Sequence, residues 1–449
     1  MSDQVLYGET HRPQFHFSAQ KNWINDPNGL VYYEGEYHLF FQHNPESVVW
    51  NNMTWGHAVS ADLVHWKQLE HALLPDELGT IFSGSAVVDW HNTSGLQEGG
   101  EPPLVALYTS AGAHAPDPVP FTQSLAYSND RGRTWTKFAD NPVLGHIEGD
   151  NRDPKIVWHD ATDQWLMALY LDGSRYVLYG SPNLLEWNHL CDLDLPGVSE
   201  CPDLFELPVD GDLNDTRWVY WGASGGYLLG HFEGTVYVPE TEVLHAEQGP
   251  NGYAAQTWSD VPSDDGRRLQ IAWMRGGKYP AMPFNQQMSF PVELALRSTS
   301  EGIRLCRTPV REIERLHAKA HSEKAVRLAP DAPFIPDVGD LLDMRFDLVP
   351  GQAEVVIMRI RGVDVRYDVK ARLLSFLDAS AQIEICEGRI PLQILVDRTS
   401  LELFAHDGQV TMSCCFLPEA AEHVLSFHAH GGGAQLEDFH AYELNSSWL

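Results

Sequence analysis

Three carboxylates recur in matching local settings, each followed within two residues by a proline and then by β-forming residues. Asn25-Asp26-Pro27-Asn28-Gly29 leads into Leu30–Tyr33, Arg152-Asp153-Pro154-Lys155 into Ile156-Val157-Trp158, and Glu200-Cys201-Pro202-Asp203 into Leu204-Phe205. Taken singly, an Asx-Pro pair is ordinary turn chemistry, with proline restricting the backbone where a strand begins. Three such carboxylates ahead of three separate strands suit a different task. Cleaving a glycosidic bond takes two acids: one attacks the anomeric carbon, while the other protonates the leaving oxygen and then activates water. Mutual repulsion and partial desolvation would keep one of them protonated near neutral pH. A third carboxylate can hold sugar hydroxyls and favour the positive charge of the transition state.

Residues so far apart in sequence meet only if the intervening elements bring them together. Leu30–Tyr33 and Tyr37–Gln42 read as a hairpin across Glu34-Gly35, followed by strands at Trp55–Ser60 and His65–Leu69. Four antiparallel strands in this short span match one blade of a β-propeller. Ser60-Ala-Asp62 leads to Trp66, Ser128-Asn-Asp130 to Trp135 and Ser181-Pro-Asn183 to Trp187, a polar turn followed by a packing tryptophan in successive units. Further units span about Ser85–Phe138, Lys155–Leu190, Leu204–Val238 and Tyr253–Arg307. The reading is an all-β chain with a five-bladed β-propeller over residues 1–307. In a propeller the first strand of each blade lines the central channel, so Asp26, Asp153 and Glu200 would converge at one end of it.

Thr308 as N-cap, Pro309 in the first turn, Glu312, and helical spacing of Val310, Ile313 and Leu316 predict a linker helix over 308–323. From 324 to 449, alternating strands such as Met344–Leu348, Glu354–Ile360, Leu392–Val396 and Leu401–Phe404 predict a C-terminal β-sandwich with a supporting role.

Composition narrows the partners. A formal charge of −32 repels phosphate backbones and anionic lipid, so neither nucleic acid nor membrane is an expected partner. Residues 1–20 hold no basic patch followed by an apolar run, and no apolar stretch is long enough to span a bilayer, which predicts a cytoplasmic chain unless an export signal has been trimmed. The 6 cysteines are scattered and read as thiols, and the 21 histidines form no His-Glu-x-x-His site, so no metal is expected. Cys201 has no partner base and reads as a packing residue.

Asn22-Trp-Ile-Asn-Asp-Pro-Asn-Gly29 resembles the sucrose-binding signature of glycoside hydrolase family 32, the invertases and fructan hydrolases. Phe82-Ser83-Gly84-Ser85, Arg152-Asp153-Pro154, Glu200-Cys-Pro-Asp-Leu-Phe205, Tyr253-Ala-Ala-Gln-Thr257 and Ile394-Leu-Val-Asp-Arg-Thr-Ser-Leu-Glu402 are similar to its later motifs, in family order. The resemblance implies a five-bladed propeller with a C-terminal β-sandwich and a retaining β-fructofuranosidase acting on sucrose and short fructooligosaccharides from the chain end. Fructosyl transfer, or action on inulin or levan, is the alternative on the same scaffold, with fructan binding without catalysis a remote one. It assigns Asp26 as nucleophile, Glu200 as acid/base and Asp153 as transition-state stabiliser. Trp23, Asn25, Gln42, Trp50, Phe82, Ser83 and Arg152 match positions that shape the fructose pocket, and no cofactor is implied. Trp50, in a polar loop, suits stacking on a sugar. Arg152 beside Asp153 would lower the pKa of that carboxyl and keep it ionised. The family commonly has an aromatic residue before the acid/base, where this chain has Ser199, which leaves leaving-group preference open.

Overall fold

Glu34 and Gly35, both at positive φ, turn the chain between the strands Asn22–Tyr33 and Glu36–Asn44. Thr54–Ser60 and Lys67–Gln68 complete an antiparallel meander. The same arrangement follows as Thr80–Val88, Leu104–Ala111, Thr122–Ser128 and Thr136–Lys137, and again as Arg152–His159, Gln164–Asp172, Arg175–Ser181 and Asn188–Asp194. Asp203–Val209, Asp212–Trp221, Gly226–Glu233 and Val236–Pro239 form the next meander. A last group, Gly252–Thr257, Arg268–Met274, Val292–Thr299 and Gly302–Pro309, joins it through a parallel contact of Val209 with Leu296. In this computed structural model, residues 6–330, 332–419 and 424–448 are described. The first five residues of the predicted propeller, and residues 331, 420–423 and 449 of the predicted sandwich, lie outside them. Among the described residues the helical pieces are three short 3-10 turns, and no helix is long and apolar enough to cross a membrane.

The Ser-x-Asp/Asn…Trp repeat is one local structure built three times. Asp62 Oδ1 accepts from the backbone N–H groups of Val64 and His65, and Asn183 Oδ1 from those of Leu185 and Glu186. Asp130 accepts from the N–H of Thr134 and from the hydroxyl of Ser128. The next residue, Leu63, Arg131 or Leu184, is left-handed in every copy. The tryptophan indole then donates to the carbonyl three residues back: Trp66 to Leu63, Trp135 to Gly132 and Trp187 to Leu184. Each copy joins the third strand of its meander to the fourth.

The first strands of these meanders pack together. Asn22–Tyr33 lies against Thr80–Val88 and Gly252–Thr257, and Arg152–His159 against Thr80–Val88 and Asp203–Val209. The sequence reading sets all three carboxylates just ahead of their strands, which holds for Glu200 but not for Asp26 or for Asp153, the second residue of Arg152–His159. Asp26 sits inside its strand, because Trp23 and Ile24 already pair with Asn44 and His43, whereas Glu200 stands three residues before Asp203–Val209.

The predicted linker helix over 308–323 is not formed. Residues 308–309 end the strand Gly302–Pro309, Arg311–Leu316 is a six-residue 3-10 turn, and His317–Leu328 is a strand. Val310, Ile313 and Leu316 are buried at three-residue spacing, which a 3-10 turn serves as well as an α-helix. The ladder of His317–Leu328 with Ala434–Leu444 then claims the backbone hydrogen bonds a longer helix would need. This strand completes a six-stranded sheet that faces a five-stranded one across a core including Met344, Val356, Ile394, Leu403 and Phe427.

The N-terminal segment is fastened to the sandwich by a buried His16. Its Nδ1 lies 2.8 Å from Asp397 Oδ2 and its Nε2 2.6 Å from Glu402 Oε2. Asp397 also accepts the N–H groups of Gln14, Phe15 and His16. Burial alone would lower the His16 pKa, but the hydrogen bonds and charges of the two carboxylates together outweigh it and raise the pKa to about 9.

Candidate active site

Where the first strands begin, their ladders slip. The register shifts between Ile24 and Pro27, between Ile81 and Gly84, and between Tyr253 and Gln256. Such bulges re-aim side chains. Asp153 and Glu200 are themselves left-handed, an unfavourable conformation for residues with a Cβ and one that clusters at functional sites. Gly29 closes the first motif because its φ is positive and a Cβ there would come within 2.6 Å of Phe40 and 2.9 Å of Trp55.

The result is a cavity of about 460 Å³ whose wall includes Asn25, Asp26, Gln42, Trp50, Phe82, Ser83, Arg152, Asp153 and Glu200. Trp23 is the sequence-predicted site residue that does not line it. Its indole donates to Asn25 Oδ1 at 2.8 Å, and Asn25 in turn donates to Asp26 Oδ1 at 3.2 Å, so Trp23 orients a residue that reaches the pocket. Trp50 is 45% exposed, with Phe82 and His114 edge-on beside it.

The three carboxylates are connected through two intermediaries. The buried Cys201 thiol donates to Asp26 Oδ2 at 3.6 Å and to Asp153 Oδ2 at 3.4 Å. Arg152 donates to Glu200 Oε1 at 2.7 Å, and its Nε lies 3.7 Å from Asp153 Oδ2. Ser83 donates to Asp26 Oδ2 at 2.5 Å, and the Tyr253 hydroxyl to Glu200 Oε2 at 2.6 Å. The Arg152 guanidinium rests on the ring of Tyr170, and Arg275 on that of Tyr253.

Burial raises the pKa of Asp26, against the hydrogen bonds from Ser83 and Asn25 and with added repulsion from Glu200. Asp153 is pushed up to about 7, again chiefly by burial. The lowering by Arg152 expected from sequence is present, but burial and the charges of Asp26 and Glu200 outweigh it. Glu200, at the open side, also feels burial, yet the Tyr253 hydrogen bond and Arg152 bring it below the usual glutamate range. In the ligand-free site the proton of this cluster therefore rests on the aspartate side. Cys201 is held protonated by burial and by the surrounding carboxylates, which agrees with a thiol that packs and donates.

Tyr253, Trp273, Arg275, His114, Phe121 and Asp150 also line the cavity and were not picked out as site residues. Tyr253 opens a motif quoted above, and Trp273 faces it across the strand register. His114 and Phe121 come from a loop whose sequence carries no signal.

Paired carboxylates on the wall of a sugar-sized cavity, at the head of packed β-meanders, are the groups a glycoside hydrolase requires. The chain belongs to glycoside hydrolase family 32, whose mechanism is retaining: the Glycosyl hydrolases family 32 N-terminal domain matches residues 16–309 and the family 32 C-terminal domain residues 364–443. A levanase of Bacillus subtilis is 40% identical over all of this chain and 72% of its own length. An extracellular exo-inulinase of Aspergillus awamori is 32% identical over 98% of this chain and 96% of its own. The crystal structure of exo-inulinase from Aspergillus awamori superposes with a TM-score of 0.87 at 29% identity, covering 99% of this chain and 100% of that one. Such neighbours place the fold among propeller-plus-sandwich hydrolases.

Proposed function

We propose that the chain removes terminal β-D-fructosyl units from fructans, short fructooligosaccharides and sucrose, one at a time. The observation that carries this is the linked trio of Asp26, Asp153 and Glu200 around one cavity. Asp26 attacks the anomeric carbon as Glu200 gives its proton to the departing oxygen, leaving a fructosyl ester on Asp26. Glu200 then takes a proton from water, the water oxygen bonds to the anomeric carbon, and Asp26 leaves as carboxylate. Asp153 and Arg152 hold fructose hydroxyls, and Trp50 and Phe82 pack against the ring. The levanase and exo-inulinase relatives favour fructan over sucrose alone as substrate. In this reading the N-terminal meanders are the blades of a five-bladed propeller, supported by the contacts of Asn22–Tyr33 with both Thr80–Val88 and Gly252–Thr257.

The test is release of fructose from sucrose, kestose, inulin and levan, with products separated by length. Monomeric fructose as the early product, abolished in Asp26→Ala and Glu200→Ala, is the expected result. Longer oligosaccharides as early products would shift the assignment to endo attack or transfer. Folded wild-type protein that turns over none of the four would overturn it.

A further inference from the structure

A second cavity, of about 250 Å³, opens at the far end of the same strands. Arg152–His159 gives Asp153 to the active site and Trp158 to this cavity, and Thr80–Val88 gives Ser83 to one and Val88 to the other. Five residues of strand set the two roughly 17 Å apart, so this is not part of the catalytic pocket.

Its wall carries both aromatic and polar groups. Trp90 is 52% exposed, yet its indole is fixed by donating to Asp260 Oδ1 at 2.8 Å. Asp260 Oδ2 accepts the Val88 N–H at 2.9 Å, which leaves each carboxylate oxygen with room for another donor. Trp158 stands edge-on to Trp165 and beside His91. Lys155 at the floor is satisfied by Thr257 O at 2.7 Å and Asp203 Oδ1 at 3.3 Å. Arg268 is different: among the described residues it makes no ion pair, and its one hydrogen bond is to Trp258 O at 3.3 Å. A guanidinium has five N–H donors, so most of those of Arg268 are unused.

We infer that this cavity binds one ring of a neutral saccharide, Trp90 stacking on its C–H face while Arg268 donates to, and Asp260 accepts from, its hydroxyls. A neutral ligand suits the charges, since Lys155 is matched by Asp203, and the Arg268 cation is offset by Asp260 and Asp160 on the same wall. The volume holds a single ring, and the exposed Trp90 lets the rest of an oligosaccharide leave into solvent. The inference goes beyond the reaction proposed above, giving the chain a second hold on its substrate remote from the bond it cleaves.

Titration calorimetry of 1-kestose into the Glu200→Gln protein, in which turnover is slowed by about 10²–10⁴-fold, tests this. Two sites per chain are expected, and Trp90→Ala in the same background should weaken one of them by about tenfold while sparing the other. Trp90→Phe, which keeps a ring but loses the bond to Asp260, should fall between. The single variant Trp90→Ala should keep the wild-type melting temperature and kcat/KM on sucrose. One site in Glu200→Gln, two sites indifferent to Trp90→Ala, or displacement of the remote ligand by inorganic phosphate would overturn the inference. Failure of the wild type to hydrolyse any fructan would count against the reaction and not against this cavity, because the titration reads binding alone.

Discussion

Glu200 shares its two oxygens between the Arg152 guanidinium and the Tyr253 hydroxyl, the partners that favour its ionised form. The proposed reaction needs the opposite arrangement: one proton in the cluster, on Glu200, with Asp26 and Asp153 ionised. Burial raises both aspartates, Asp153 to about 7, so productive binding has to shift the proton towards Glu200. The pH profile of kcat/KM reports the cluster and not one residue, and its alkaline limb should lie near 7, where the last proton leaves. Asp153→Asn removes the carboxyl that burial pushes up to about 7, so the limb should move to lower pH while kcat falls by about 10²–10³-fold. A limb that stays near 7 would show that another group titrates there. Glu200→Gln should lower kcat by about 10²–10⁴-fold, with azide as external nucleophile expected to restore part of the rate on substrates with good leaving groups. Asp26, Asp153 and Glu200 were legible in the sequence because each carries its own proline and strand. Tyr253 headed a quoted motif without being read as a site residue, and Arg275 carried no signal, because both meet the pocket only in three dimensions.

The three Ser-x-Asp/Asn…Trp turns are equivalent elements, and their equivalence can be measured. In Asp130→Ala the N–H and hydroxyl of Thr134 and the hydroxyl of Ser128 lose their acceptor, which should cost about 1–3 kcal/mol. Asp62→Ala and Asn183→Ala should lower the melting temperature comparably, with kcat unchanged in all three, since none of these residues touches the cavity. A loss confined to one copy would mean that the repeat is chemical and not structural. This repeat was readable because its hydrogen bonds are local: the acceptor, the left-handed residue and the tryptophan all lie within eight positions. The stretch 308–323 shows the reverse case. Its capping residues and apolar spacing suit a helix, but the partner strand that decides its conformation, Ala434–Leu444, lies more than a hundred residues downstream. The short strands Leu373–Phe376 and Ala379–Gln382 escaped notice for a related reason, having too few residues to display alternation before the next turn.

Among the described residues the sandwich contributes no side chain to the candidate active-site cavity, yet its signature residues Asp397 and Glu402 converge on a histidine only ten residues ahead of Asp26. They hold His16 between them, and Glu402 Oε2 also accepts the N–H of Phe290. The segment that leads to Asp26 is thereby tied to the second domain. The tie has a pH range set by its own groups. His16 binds its proton more tightly folded than unfolded, so its contribution is whole below about 6.5 and is lost as pH rises through about 9. Asp397 is held below the usual carboxylate range, chiefly by His16 against the effect of burial, so its contribution is whole above the ordinary aspartate pKa and fades as acid protonates the folded form. The latch is therefore strongest in weak acid. His16→Gln leaves two buried carboxylates without their cation and should cost about 3–5 kcal/mol at pH 6, with a smaller penalty at pH 9.5. Melting temperatures of the two proteins across that interval check the sign. A gap between wild type and variant that stays constant from pH 6 to 9.5 would show that His16 packs there uncharged, and that the domains are held by shape and not by this ion triad.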